Sequence, residues 1–254
     1  MPILVGLPER VVRGLTDTHC HLHEYRDDDV ISIARLGIRV VAVSDDYSSS
    51  LRTLRLWGRH RWVIPAVGLH PWNVGRDSVR DAQRIVELAE LYSVKFLGEI
   101  GLDRRFVPQT IDAQQRVFRE FLEYARGRRV ALSIHSVNTW REVLELLERF
   151  DIYTAVLHWY TGPLELLERV RDMGMFIGVN PAIELQERHR RVVASAPPEI
   201  LVPESDGPYR YRGLELHPYM ITRAVHWIAK LRGLSYEEAL DLVTDNTRRL
   251  LRLA

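Results

Sequence analysis

Short apolar runs rich in β-branched residues recur along this chain, each followed by a longer stretch with the three-to-four-residue spacing of an amphipathic helix. That alternation constrains the fold more than any other feature. Strands separated by helical crossovers pair in parallel, and a parallel sheet is stable only when both its faces are covered. Eight runs are predicted to be strands: residues 11–16, 38–43, 62–67, 94–98, 130–134, 152–157, 175–179 and 200–202. Eight βα units in 254 residues match the size of one closed barrel. The expectation is therefore a single (β/α)8 TIM-barrel domain over residues 1–254.

The intervening segments carry helix punctuation. Asp27, Asp28 and Asp29 stand ahead of Val30, Ile33 and Ala34, with Gly37 to close; Asp77 precedes Val79, Ala82 and Ile85. Asn138 is read as the cap of a helix burying Val143, Leu144 and Leu147, and Pro163 as the first turn of one ending near Gly174. After the eighth run come a helix over 218–231 and a last one opened by Ser235, with Glu238 three residues on in a capping-box pattern. Both are expected to cover the barrel's outside.

Thirty-five basic and 34 acidic residues leave a net charge of +1, so no global field holds a polyanion and any nucleic-acid contact must be local. Cys20 is the only cysteine, which excludes an intramolecular disulfide and suits a reducing compartment. No apolar run reaches the roughly 18 residues of a membrane span, and the opening residues lack a basic segment leading into a long apolar one. A cytoplasmic protein without membrane contact is expected; its oligomeric state is left open.

In such a barrel the chemistry sits where strands end. The first run ends in DTHCHLH, the third in GLHP, the fourth in GEIGLD, the fifth in IHS, the sixth in LHWYTG and the eighth in PESDGP. His19 and His21, two apart on an extended strand, share a face and can reach one ion. Glu99, between Gly98 and Gly101, can give one oxygen to each of two cations. His135 and His158 are each the lone polar group of an apolar run, and Asp206 lies on the turn before Gly207 and Pro208. Packing or a backbone hydrogen bond explains any one of these. Their shared placement at strand ends one, four, five, six and eight is what points to metal. Imidazole with carboxylate suits Zn²⁺ or Mn²⁺, and Mg²⁺ less well. Two such ions lower the pKa of a shared water and stabilise charge on the attacked group.

In order, DTHCHLH, VGLHPWN, GEIGLD, IHS, LHWYTG, ESDGPY and TDNTRRLL resemble the landmarks of the TatD family of metal-dependent hydrolases, from Asp17 to Leu251. The resemblance implies a two-metal deoxyribonuclease or phosphodiesterase acting on DNA, an oligonucleotide or a small phosphoester. By position it implies that His19, His21 and Asp206 hold one ion, that His135 and His158 hold the second, and that Glu99 bridges them. Asp206 would also accept a proton from water, and His70 would donate a hydrogen bond near the phosphate. Asp17 and Glu204 would orient ligands from behind, while Asn246 and Arg248 would fix the last helix.

Two departures bear on substrate. Val137 stands where many members carry arginine, and the segment after the ESDGPY motif is short. Arg104, Arg105, Arg210 and Arg212 are candidates to replace the missing charge, and Trp72, Trp159, Tyr160, Tyr209 and Tyr211 are candidates to stack on a base. Two readings rank lower: a hydrolase of carboxylic esters, lactones or amides, since fold does not fix substrate, and a non-catalytic metal-binding scaffold.

Overall fold

The computed structural model describes residues 14–253. Eight strands form one sheet in sequence order, every neighbouring pair parallel: β1 (Thr16–Cys20), β2 (Arg39–Ala42), β3 (Val63–Val67), β4 (Phe96–Asp103), β5 (Ala131–Val137), β6 (Ala155–Leu157), β7 (Phe176–Val179) and β8 (Leu201–Pro203). Between them run α1 (Asp27–Ala34), α2 (Tyr47–Arg59), α3 (Ser78–Leu91), α4 (Ile111–Ala125), α5 (Trp140–Arg149), α6 (Leu167–Asp172) and α7 (Glu187–Ser195). After β8 come a two-stranded hairpin, β9 (Arg210–Tyr211) with β10 (Leu214–Glu215), and then α8 (Ile221–Arg232) and α9 (Tyr236–Leu253). This is the (β/α)8 barrel. Among the described residues no helix is long and apolar enough to cross a membrane.

The period of two along each strand sorts side chains onto two faces. Val40 and Ala42 of β2 pack outward in the cluster that includes Ile33, Leu54 and Ile85 of the surrounding helices. Val41, Ala66, Phe96, Ala131, Val156, Phe176 and Val202, one from each of β2 to β8, meet in a separate cluster inside the barrel. Continuing along β5 in steps of two gives Ala131, Ser133 and His135, from apolar floor to polar mouth.

β1 and β8 meet through a seam of polar contacts. The Thr18 hydroxyl donates to the Pro203 carbonyl at 3.0 Å, and the Asp206 N–H donates to the His19 carbonyl at 2.9 Å. The Ser205 N–H donates to the Asp17 carboxylate at 2.8 Å, and the His21 N–H to the Gly207 carbonyl at 2.8 Å. Residues far apart in the chain are thereby clamped at the mouth.

Several expectations are corrected. The first strand is not 11–16, of which 11–13 lie outside the described residues; it is Thr16–Cys20, a wholly buried polar segment that an apolar-run criterion passes over. β4 and β5 run past their predicted ends for the same reason, carrying Glu99, Asp103 and His135 inside the ladder. Asn138 does not cap α5. It adopts a left-handed φ of 57°, and Thr139 precedes the helix with its hydroxyl donating to the Leu102 carbonyl at 2.9 Å. The segment after Pro163 begins as a 3₁₀ turn over Leu164–Leu166 before α6.

The capping box at Ser235 and Glu238 forms, with the Ser235 N–H donating to the Glu238 carboxylate at 2.7 Å. Its helix, α9, does more than cover the outside: Leu250 is fully buried among the inner floor residues and closes the barrel's N-terminal end. Asn246 fixes that helix, its amide donating to the Pro198 and Leu201 carbonyls at 2.9 Å each. Arg248 takes no part, since it pairs with Asp245 on the surface. Truncating a fully buried leucine in a close-packed floor costs about 2–5 kcal/mol. Leu250→Ala is expected to lower the urea-unfolding free energy by that amount; a loss under about 0.5 kcal/mol would show that α9 does not seal the barrel.

Candidate metal centre

Strand ends bring five imidazoles and a set of carboxylates to the barrel mouth, around a cavity of about 490 Å³. At its base stands Glu99 from β4, 1% exposed. Its Oε2 lies 3.2 Å from His19 Nε2 and 3.3 Å from His21 Nε2; its Oε1 lies 2.7 Å from His135 Nδ1 and 3.3 Å from His70 Nε2. Asp206 Oδ1 is 3.5 Å from the Nε2 atoms of both His19 and His21 and 3.6 Å from that of His158. Three groups of donor atoms, each mutually within 4.8 Å, result at the centre: His19, His21 and Asp206; His70, Glu99 and His135; and His19, His158 and Glu204.

The second nitrogen of each ring decides what the first can do. In a neutral imidazole one nitrogen carries the proton and the other a lone pair, and a carboxylate behind the ring favours the proton on the nitrogen that faces it. His21 Nδ1 lies 2.9 Å from Asp45 Oδ1 and His158 Nδ1 lies 3.0 Å from Glu204 Oε1, both contacts close but oblique. His135 Nε2 lies 3.0 Å from Asp103 Oδ2, and His19 Nδ1 lies 2.8 Å from the Ser133 hydroxyl. With the proton kept on the outer nitrogen and lost from the inner one, each of these four rings would turn a lone pair to the centre. His70 is the reverse case: its Nδ1 accepts the Trp72 N–H at 3.1 Å, so Nε2 holds the proton and can only donate.

Electrostatics favour positive charge here. Glu99 is held well below the usual carboxylate range: burial opposes ionisation, but the surrounding imidazoles, of His70, His19, His135 and His158, outweigh it. Asp206 is lowered in the same way, against burial, chiefly by His158 and His21. Burial also opposes charge on His158, yet Glu204 and Asp206 push its pKa up to about 9. His135 is raised against burial by Asp103 and Glu99, and His21 well above its usual value by Asp45. His19, enclosed and beside His158, is lowered. Imidazoles gathered among ionised carboxylates suit divalent cations of the zinc or manganese type, which would bind in place of ring protons.

Other residues singled out from the sequence divide by location. Asp17 is fully buried away from the cavity; its Oδ1 accepts the Ser205 and His19 N–H groups, and burial pushes its pKa up to about 8. Glu204 Oε1 accepts the Trp159 N–H at 2.8 Å, and its carboxylate fills the space beside Gly178, where a Cβ would overlap it. Arg105, Trp159 and Tyr209 line the cavity. Arg104 does not: it forms an ion pair with Glu142 at 2.9 Å, outside the mouth. Arg210 is likewise paired with Glu215, and Tyr160 is fully buried, its hydroxyl donating to the Pro163 carbonyl.

Three participants carried too weak a sequence signal. Asp45 follows β2, whose run ends without a histidine, yet it touches both His21 and His23, the latter at 3.1 Å. Asp103 closes GEIGLD and joins His135 to the Trp72 indole, which donates to it at 2.7 Å. Ser133 lies two residues before His135, on the same face of β5. Position at a strand end was the only available clue for the two acids.

Residues 16–252 match the family described as TatD related DNase. An uncharacterized metal-dependent hydrolase, YabD of Bacillus subtilis, is 26% identical, over 94% of this chain and 99% of its own length. Human deoxyribonuclease TATDN3 is 26% identical, over 93% of this chain and 94% of its own length. The crystal structure of YJJV, a TatD homologue from Escherichia coli K12, superposes with a TM-score of 0.81 at 26% identity, covering 94% of this chain and 98% of that one. The chain belongs to the TatD family of metal-dependent hydrolases.

Proposed function

We propose that this protein hydrolyses phosphodiester bonds with water, using two divalent cations at the barrel mouth. The observation that carries the reading is the double-faced carboxylate of Glu99, with His19 and His21 at one oxygen and His135 at the other. His19, His21 and Asp206 would hold one cation, His135 and His158 the second, with Glu99 shared. His70 is left out of the ligand set because its outward nitrogen carries a proton. When bound, such a pair lowers the pKa of water and neutralises charge on phosphate oxygens.

The residues of the chain supply the rest. Asp206, on the cavity wall, accepts the proton that water gives up. His70 Nε2–H donates a hydrogen bond to the phosphate oxygen on which charge builds. Asp45, Asp103, Ser133 and Glu204 hold the ring orientations of His21, His135, His19 and His158 from behind. The name of the human relative, a deoxyribonuclease, supports a phosphodiester over a carboxylic ester.

The reaction class is tested with metal-loaded protein on bis-p-nitrophenyl phosphate and on a panel of carboxylic esters. Phosphodiester turnover is expected, and ester turnover alone would overturn the reading. Chelation is expected to abolish activity and lower the melting temperature, and zinc or manganese to restore both, because an ion bound only by the folded state adds stability. A melting temperature indifferent to chelation and reloading would count against a built metal site. Glu99→Gln is expected to reduce turnover by ~100-fold or more while leaving circular dichroism unchanged; near-normal turnover would contradict its shared role. Asp45→Asn is expected to weaken metal affinity by about 10–100-fold in a competition titration with a chromogenic chelator. Unchanged affinity would reduce Asp45 to a bystander.

A further inference from the structure

His23, the third imidazole of DTHCHLH, takes no part in the centre, yet it stands in a donor group of its own. Its Nδ1 lies 3.1 Å from the Val43 carbonyl, which can only accept, so that nitrogen carries the ring proton. Nε2 of the neutral ring then holds a lone pair, and it faces Asp45 Oδ2 at 3.1 Å. At that separation the two lone pairs repel unless a proton or a cation lies between them. A proton would serve that pair alone, whereas donor atoms of His21, His23, Glu24 and Asp45 all lie within 4.8 Å of one another, a fourth group beside the three of the centre. Asp45 Oδ1, in this group, is buried without a well-aligned hydrogen bond. His21 Nε2 faces Glu99, so that ring belongs to the centre and borders the group only through Nδ1. His23, Glu24 and Asp45 remain.

The backbone holds these three in place. His23 and Glu24 ride on a 3₁₀ turn, Leu22–Glu24, anchored by the buried Leu22. The Arg52 guanidinium donates to the His23 and Tyr25 carbonyls at 2.8 Å each and to Asp27 at 3.0 Å, which ties the turn to α2 and offsets the arginine's own charge. Asp45 is fixed from three sides: its N–H donates to the Ser49 hydroxyl at 2.9 Å, and its carbonyl accepts the His70 N–H at 3.0 Å and the Asn73 amide at 3.1 Å. A second cavity, of about 340 Å³ and bordered by His23, Asp45 and Arg55, opens on this side, while Glu24 and Asp45 also border the cavity of the centre. Ions and water can therefore reach the group without passing Glu99.

We propose that His23 Nε2, Asp45 Oδ2 and the Glu24 carboxylate form a peripheral site for a further divalent cation, with water completing its coordination. The site uses no atom that faces Glu99, so it stands apart from the two-cation reading above. One imidazole among carboxylate and water oxygens is a harder donor set than the imidazole-rich centre, and it favours manganese(II). Glu24 is exposed, so the ion exchanges with solvent. Asp45 links the two places: Oδ1 is turned to His21 and Oδ2 to the peripheral ion, so that occupancy stiffens the partner behind the His21 ring.

The test is anomalous scattering from crystals grown in manganese chloride, with equilibrium dialysis against the same salt to count ions per chain in solution. A manganese peak bonded to His23, Asp45 and Glu24 is expected in addition to metal at Glu99. His23→Ala and Glu24→Ala are each expected to bind one ion fewer than the unaltered chain and to keep the metal at Glu99; Glu24 is on the surface, so its truncation leaves the fold intact. No peak beside His23, with metal present at Glu99, overturns the proposal and leaves the two-cation reading standing. A peak beside His23 with none at Glu99 upholds the proposal and removes that reading, and metal at neither place overturns both. A peak beside His23 with equal ion counts for the variants and the unaltered chain means binding at crystal concentration only, which also overturns the proposal.

Discussion

Each oxygen of the Glu99 carboxylate faces a different set of imidazoles, and the mouth of the barrel is organised around that division. A buried carboxylate is costly to ionise unless positive or hydrogen-bonding groups surround it. Here the histidines at or just beyond the ends of β1, β3, β5 and β6 surround it and favour the ionised form. Parallel register helps to align them: Gly101 of β4 pairs with His135 of β5, and Ile134 of β5 with Leu157, the residue before His158.

The polar clamp between β1 and β8 adds the remaining side of the cage. Thr18, His19 and His21 are bonded through side chain or backbone to Pro203, Asp206 and Gly207, so Asp206 is set against the two histidines by the closure of the barrel itself. Fold closure and site assembly are one event here. The floor below is apolar and sealed by Leu250, which keeps the polar layer at one end and the packing layer at the other.

Outer partners convert imidazoles of similar chemistry into different tools. A carboxylate or hydroxyl behind His19, His21, His135 and His158 can keep a proton on the outer nitrogen and so turn the inner one to a cation, whereas a backbone N–H behind His70 leaves it a donor. The same logic extends outward: Asp103 orients His135 and also pins the Trp72 indole, so one residue couples the centre to the rim. Rim residues come from the loops after the strands, where sequence can vary without disturbing the ladder below.

The alternation of strand-like and helix-like segments determined the barrel, because period two and period 3.6 are written locally in side-chain polarity. The same locality made His19, His21, His70, Glu99, His135, His158 and Asp206 legible as polar intrusions at strand ends. It failed at β1, where four of the five strand residues are polar, and at Asn138, where a neighbouring threonine found a carbonyl on another strand. Only the tertiary structure decided that Asp45 and Asp103 stand behind imidazoles, that Arg104 is tied to Glu142 while Arg105 faces the cavity, and that His70 donates. Those facts depend on which nitrogen meets which partner across the barrel, a relation between distant segments that no local pattern encodes.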